Sequence, residues 1–364
     1  MIYLDYNATA PLLPEVRAAM LSVMGEAMNP SSIHGMGRSA KRKLEDARAD
    51  IAHAFGAFAN EVVFTASGTE ANNMVLRAFA DRPLLVSAIE HASIAKTAGL
   101  LGAAIVPVDT DGVVELDTLK QQLGALGKPA LVSIMLANNE TGVIQPIAAI
   151  AETVHAHGGL LHVDAVQGLG KIPIDWGLLR ADMMTISPHK VGGPIGAAAL
   201  LIRNDLPIRA LITGGGQELG RRAGTENLVA ILGFAETVKL VAPAREMVRV
   251  EPLRDRLEAQ LQGAIIHGKA APRLANTSLA TMPGVSSETQ LMHFDLNGFA
   301  VSAGSACSSG RIEPSSVLAA MGVPNDQAAQ TIRISLGWGT TEIDILAFAE
   351  CWKDLYAKLG KRAA

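Results

Sequence analysis

Between Glu61 and Arg203, short apolar runs alternate with longer segments whose apolar residues recur every three or four positions. This is the rhythm of successive strand–helix–strand units. The runs predict strands at 61–65, 84–88, 105–108, 130–136, 160–163, 183–186 and 197–202. Several are apolar without a break, as strands covered on both faces of a parallel sheet are. The longer segments predict helices at 70–80, 94–101, 116–123 and 146–157. The last has proline in its first turn and Gly158-Gly159 just past its end, an allowed start and a favoured stop.

Beyond Gly233 the texture changes. An amphipathic segment at 228–261 carries a charged stretch at 245–258, with Pro243 and Pro252 marking kinks or joints. After it, strand-like runs at 264–267, 298–302 and 331–335 mix with helical patterns at 286–295, 315–321 and 343–358. The expected fold class is α/β. Residues 13–248 form a large domain with a mostly parallel seven-stranded sheet between helices, and residues 1–12 and 249–364 form a smaller α+β domain. There is no internal repeat and no low-complexity tract.

Composition narrows the function classes. The 364 residues are 49% hydrophobic and 18% charged, enough apolar material for real cores. Thirty-one basic residues against thirty-five acidic ones give a net charge of -4, with no excess to neutralise a phosphate backbone, so direct nucleic-acid binding is not expected. The two cysteines, Cys307 and Cys351, make no disulfide framework and no C-x-x-C pair, which points to a reducing cytoplasm and no metal site. The first residues lack the apolar core of a signal peptide and no later stretch is apolar over eighteen residues, so neither export nor membrane insertion is expected.

Two common phosphate motifs fail. Gly214 and Gly216 are followed by Leu219 where a dinucleotide fingerprint needs glycine, and no Gly-Lys pair is followed by Ser or Thr. What remains is a series of polar residues just after predicted strands, where open parallel sheets place their ligand sites. Ser67-Gly68-Thr69 opens a helix whose free N–H groups suit an anion such as phosphate. Glu90-His91, Asn138-Asn139-Glu140, Asp164 with Gln167, and Ser187-Pro188-His189-Lys190 follow four further strands. Each alone fits a turn or a helix cap. Five at successive strand ends predict a shared cleft. Asp164 and Lys190 suggest its contents: a carboxylate keeps a pyridine nitrogen protonated and a lysine amine condenses with an aldehyde, the two requirements of pyridoxal phosphate. The plainer alternatives are a helix cap for Asp164 and an exposed loop lysine for Lys190.

Several long motifs, in order and spread almost end to end, resemble the cysteine desulfurases, the NifS and IscS-like pyridoxal-phosphate enzymes of aminotransferase fold type I. They are Tyr3-Leu4-Asp5-Tyr6-Asn7-Ala8-Thr9-Ala10-Pro11, Asn29-Pro30-Ser31-Ser32-Ile33-His34, Ala137-Asn138-Asn139-Glu140-Thr141-Gly142, His162-Val163-Asp164-Ala165-Val166-Gln167, His189-Lys190, Arg222-Ala223-Gly224-Thr225-Glu226-Asn227 and Ser305-Ala306-Cys307. The resemblance implies that Lys190 carries the cofactor, Asp164 faces its pyridine nitrogen, His91 stacks on its ring and Gln167 hydrogen-bonds its phenolic oxygen. Gly68, Thr69, Ser187 and His189 would hold the phosphate, with Thr225 arriving from the other subunit of a homodimer. Asn139 and Arg333 would clamp the substrate carboxylate, a task suited to arginine's fork geometry, although a surface salt bridge is its plainer alternative.

The resemblance makes Cys307 the nucleophile that takes sulfur from L-cysteine as a persulfide, releases alanine and passes the sulfur to an acceptor or iron–sulfur scaffold protein. Cys307 lies among small residues between Gly304 and Gly310, so a mobile loop at about 302–314 is expected. Cys351, beside Trp352 on an amphipathic helix, reads as core packing. His155 and His157, two apart on a helix, face different directions and are not expected to share a metal. The chain departs from the family pattern at Ile195, where relatives often have lysine, and at Trp338, where many have arginine. With the last helix expected at 343–358, a C-terminal tail of the kind with which IscS-type members dock the scaffold is not expected. The rival readings are a selenocysteine lyase or another type I pyridoxal-phosphate lyase or aminotransferase in which Cys307 is incidental, and a non-catalytic sulfur relay, which would be expected to have lost Lys190 or Asp164.

Overall fold

The computed structural model describes residues 1–26, 29–241, 244–304 and 315–360. The chain opens with a short strand, β1 (Ile2–Tyr3), and then builds a seven-stranded sheet from β2 (Val62–Thr65), β3 (Leu84–Ser87), β4 (Ala104–Val106), β5 (Leu131–Met135), β6 (Leu160–Asp164), β7 (Met183–Ile186) and β8 (Ala198–Ile202). Their order across the sheet is β2-β8-β7-β6-β5-β3-β4. Only β8 runs antiparallel to its neighbours β2 and β7; the other pairings are parallel. Parallel neighbours need long crossovers. Helices Ala92–Leu100, Leu116–Ala125, Ile147–Ala156 and the short Trp176–Leu179 lie in these crossovers, and Gly68–Ala78 joins β2 to β3. Every residue of β2, β3, β5, β7 and β8 is buried, including the one Ser or Thr in each of the first four.

The smaller sheet has the order β12-β13-β10-β9, from β9 (Ile265–Ile266), β10 (Thr277–Thr281), β12 (Ser302–Ala303) and β13 (Thr331–Ser335). A separate pair joins β1 to β11 (Phe299–Ala300) in parallel, so the N-terminus packs on the C-terminal part as expected. A second apolar core forms here, with Leu4, Val250, Leu257, Phe294, Phe299, Ile334, Phe348 and Trp352. Cys351 is partly buried against this core.

The structure corrects the sequence reading in three places. The expected single strand at 298–302 is two short strands in different sheets, β11 and β12. Within the segment 228–261 lie two helices, Leu228–Val241 and Met247–Gln260; Pro252 lies inside the second, and Pro243 lies outside the described residues. Strand β10 went unread because Thr277, Ser278 and Thr281 give it a polar look. Their hydroxyls are satisfied internally by Asn276, Glu258 and Thr331. The longest helix, Gly35–Phe55, was also unread.

Candidate active site

Strands β2, β3, β5, β6 and β7 point the same way, so the residues that follow them share one edge of the sheet, and β8 begins there. A cavity of about 500 Å³ opens at that edge, within the size range of small-molecule sites. Gly68, Thr69, His91, Asn139, Asp164, Gln167, Ser187, His189 and Lys190 all line it. The five strand-end clusters read from the sequence thus meet in one cleft.

Lys190 sits half-buried in this cleft, its Nζ donating to the main-chain oxygen of Asn7 at 2.9 Å. Loss of water, reinforced by Arg333, pushes its amine down to about 8, against the opposing pull of Asp164 and Asp5. Next along the chain, any side chain at Gly193 would place a Cβ 2.3 Å from that of Pro188, so this close turn tolerates only glycine.

The buried Asp164 carboxylate accepts from the Val166 N–H at 3.0 Å and from Asn72 Nδ2 at 2.8 Å. The same Asn72 Nδ2 donates to Ser93 Oγ at 2.9 Å, and Ser93 Oγ lies 2.9 Å from His91 Nδ1. His91 caps helix Ala92–Leu100 by accepting the Ser93 N–H at Nδ1. That contact uses the Nδ1 lone pair and leaves the ring proton on Nε2. Loss of water lowers the His91 pKa, Asp164 opposes this, and Lys190 adds to the lowering, so the neutral ring is favoured. Beneath Asp164, the buried His162 bridges Ser133 and Thr185 across three strands and is pushed down to about 4 by burial.

Arg333 is a buried partner rather than a surface residue: its guanidinium donates to Asp5 Oδ1 at 2.6 Å and to the Asn139 main-chain oxygen at 3.0 Å. Its Nε has no partner among the described residues. Arg333 therefore stands behind Asn139, which lines the cleft. Thr225 is exposed and lines an adjoining depression together with Ala66 and Gly196, both of which also line the main cleft. Ile195 is 77% exposed at the cleft, while Trp338 donates to the Pro11 oxygen on the far side of Lys190. Cys307 and most of its expected loop lie outside the described residues. His155 and His157 have separate structural partners, Asp182 and the Thr153 oxygen.

A family model described as Aminotransferase class-V matches residues 2–348. The chain is 41% identical to the cysteine desulfurase IscS of Dictyoglomus turgidum, covering 94% of this chain and 91% of that protein. The chain belongs to the cysteine desulfurases of the class-V aminotransferase family. It is also 41% identical to a cysteine desulfurase of Cereibacter sphaeroides, over 94% of this chain and 92% of that one. Among solved structures, a NifS-like protein from Rickettsia africae superposes with a TM-score of 0.93 at 39% identity, covering 98% of this chain and 99% of that chain.

As a member of this family the protein depends on pyridoxal phosphate, and the cleft fits that group. An amine with a lowered pKa faces the cleft for the aldehyde. A buried carboxylate, held by two donors, lines it for the pyridine nitrogen. The first two residues of helix Gly68–Ala78, whose N–H groups precede the intrahelical ladder, line the same cavity for the phosphate, while Ser67 Oγ caps the third N–H, that of Glu70. Sequence reasoning missed Asn7, Asn72, Ser93 and Lys171, which hold the cleft residues in place. Asn72 lies inside the helical pattern at 70–80 and Ser93 just before the one at 94–101, where nothing local distinguishes them from ordinary polar residues.

Proposed function

We propose that this protein converts L-cysteine to L-alanine, taking the sulfur onto Cys307 as a persulfide and delivering it for iron–sulfur clusters or other thio-cofactors. The observation that carries this reading is the convergence of Lys190, Asp164, His91 and the open start of helix Gly68–Ala78 on one cleft. Pyridoxal phosphate, when bound, supplies the electron sink that makes an amino acid's α-hydrogen acidic. Asp164, fixed by Asn72 and Val166, would keep the pyridine nitrogen protonated. Lys190 would hold the cofactor aldehyde, and its Nζ, when free, would be the base for the substrate's α-proton. His91 would cover the ring with its proton on Nε2, and Gln167 would donate to the phenolic oxygen.

Gly68, Thr69, Ser187 and His189 hold the phosphate, and Asn139 with Arg333 behind it receives the substrate carboxylate. The Cys307 thiolate then attacks the substrate's sulfur. A sulfur–sulfur bond forms, the carbon–sulfur bond breaks with its electrons left on the β-carbon, which takes up a proton, and a second proton returns to the α-carbon to give alanine.

The working form is a homodimer in which Thr225 completes the partner's phosphate site. The exposed Thr225, in a depression next to the cleft, and the exposed Ile195 support this. The working units are a large cofactor-binding domain at 13–248 and a small domain of 1–12 and 249–364 that carries the cysteine loop. Among the described residues no helix is long and apolar enough to cross a membrane, and two cysteines in 364 residues suit the cytoplasm.

The test supplies cofactor-loaded protein with L-cysteine, L-selenocysteine and a panel of other amino acids. Alanine formed from L-cysteine, and lost in Cys307→Ser, is the expected result. Alanine from L-selenocysteine alone, or unchanged turnover of L-cysteine by Cys307→Ser, would overturn the assignment.

A further inference from the structure

Lys171 is buried to 4% exposure, yet its Nζ donates only to two neutral oxygens, Asn7 Oδ1 at 2.6 Å and Gln167 Oε1 at 2.5 Å. A buried amine without a carboxylate partner is costly, so an apolar side chain would serve packing better. What lysine brings is N–H groups: burial, with Lys190 and Arg333 adding, pushes its amine well below the ordinary value, and charged or neutral it has hydrogens to give the two oxygens. From the other side, Gln167 Nε2 donates to the Asn7 main-chain oxygen at 3.0 Å, a group that can only accept. That acceptor fixes which end of the amide is NH2, and Lys171 holds the other end by donating to Gln167 Oε1. Nε2 keeps a second hydrogen for the cleft that Gln167 lines.

The Asn7 oxygen that receives Gln167 also receives Lys190. Asn7 itself is held by Lys171, Asn276, Thr277, the Asn139 oxygen and Ser335, leaving none of its polar atoms idle. We propose that Lys171 is a positioning residue that locks Gln167 so that its NH2, and not its oxygen, faces the phenolic oxygen of the cofactor. This rests on the reading of Gln167 given above.

A donor at the phenolic oxygen stabilises its anion and lowers the pH at which the bound cofactor changes colour. A turned amide would present an oxygen and raise that pH. The cofactor-loaded Lys171→Met, Gln167→Leu and double variants are titrated by visible absorbance. Each single variant is expected to raise the midpoint by about one pH unit, the size of a hydrogen bond to a charged oxygen, and the double variant to go no further than Gln167→Leu. Lys171→Arg, still a donor, is expected to restore the wild-type midpoint. The cavity of about 210 Å³ lined by Lys171, Leu13, Leu240 and Trp338 has room for the larger head.

An unmoved midpoint in Lys171→Met, additive shifts in the double variant, or a raised midpoint in Lys171→Arg would overturn the proposal. A shift in Lys171→Met with none in Gln167→Leu would overturn it too and would also remove Gln167 from the phenolic oxygen. If Lys171→Met does not retain cofactor, Lys171→Arg and Gln167→Leu decide between the same outcomes.

Discussion

One residue before His91 lies a carboxyl group with one oxygen satisfied and one not. Glu90 Oε1 accepts from Ser87 Oγ at 2.5 Å and from the Met135 N–H at 2.9 Å, while Oε2 has no partner among the described residues. Burial pushes its pKa up from 4.5 to about 8, with the Asp164 charge adding to the rise. A carboxyl whose folded pKa exceeds its unfolded value contributes stability that is complete below about 4.5 and is lost as pH rises through about 8. Glu90→Gln cannot ionise. Its stability relative to wild type, read from urea midpoints of the apoproteins, is therefore expected to improve steadily across that window and to level off above it. A pH-independent difference would contradict the burial of a protonated acid here. At this scale Lys190, Asp164 and His91 were legible because each lies within a few residues of the end of a predicted strand. Lys171 was not: Gly170-Lys171 is an ordinary turn-like dipeptide in the sequence, and only the fold shows that the amine points inward onto Gln167.

The helix Gly35–Phe55 illustrates what pattern reading loses at the scale of elements. Its buried stripe, Ala40, Leu44, Ala47, Ile51 and Phe55, is partly alanine and is interrupted by eight charged residues from Arg38 to Asp50, so its periodicity is faint. One of those charges is structural. Arg48 grips Glu218 with two hydrogen bonds of 2.8 and 2.6 Å, donates to the Val62 oxygen and lies over the Phe64 ring. Glu218 also accepts the Phe64 N–H, which ties helix, β2 and the 217–220 turn together. In that turn Glu218 and Leu219 both hold left-handed backbones, at φ 49° and 58°, a conformation that ordinary side chains resist. Arg48→Met leaves Glu218 buried without its partner, and the expected loss is about 3–5 kcal/mol in urea unfolding. A loss below about 1 kcal/mol, the range of exposed pairs, would mean that the pair does not anchor the turn. The crossover helices were legible because their faces are simply apolar or polar; β10 and this helix needed partners that lie far away in sequence.

For the whole molecule, the alternation of apolar runs and helical segments was enough to foresee a seven-stranded sheet, a smaller α+β part and a cleft at the strand ends. It could not reveal the antiparallel β8, because an unbroken apolar run carries no direction. Nor could it show that Asn7, from the N-terminal segment, bridges the large sheet's Lys171 and Lys190 to Thr277 and Ser335 of the smaller one. Beyond one chain, Thr225 sharing is tested with hybrid dimers of Lys190→Ala and Thr225→Ala subunits. If Thr225 serves the partner, each hybrid contains one intact site and binds cofactor there with wild-type affinity; if it serves its own chain, no site is intact and affinity stays weak. The account as a whole is tested most directly by anaerobic incubation of the cofactor-loaded protein with limiting L-cysteine, followed by peptide mass mapping. It predicts one alanine released for each sulfur gained, with the added sulfur on the peptide bearing Cys307. Alanine release with free sulfide and no sulfur on Cys307, or sulfur found on Cys351 instead, would contradict it.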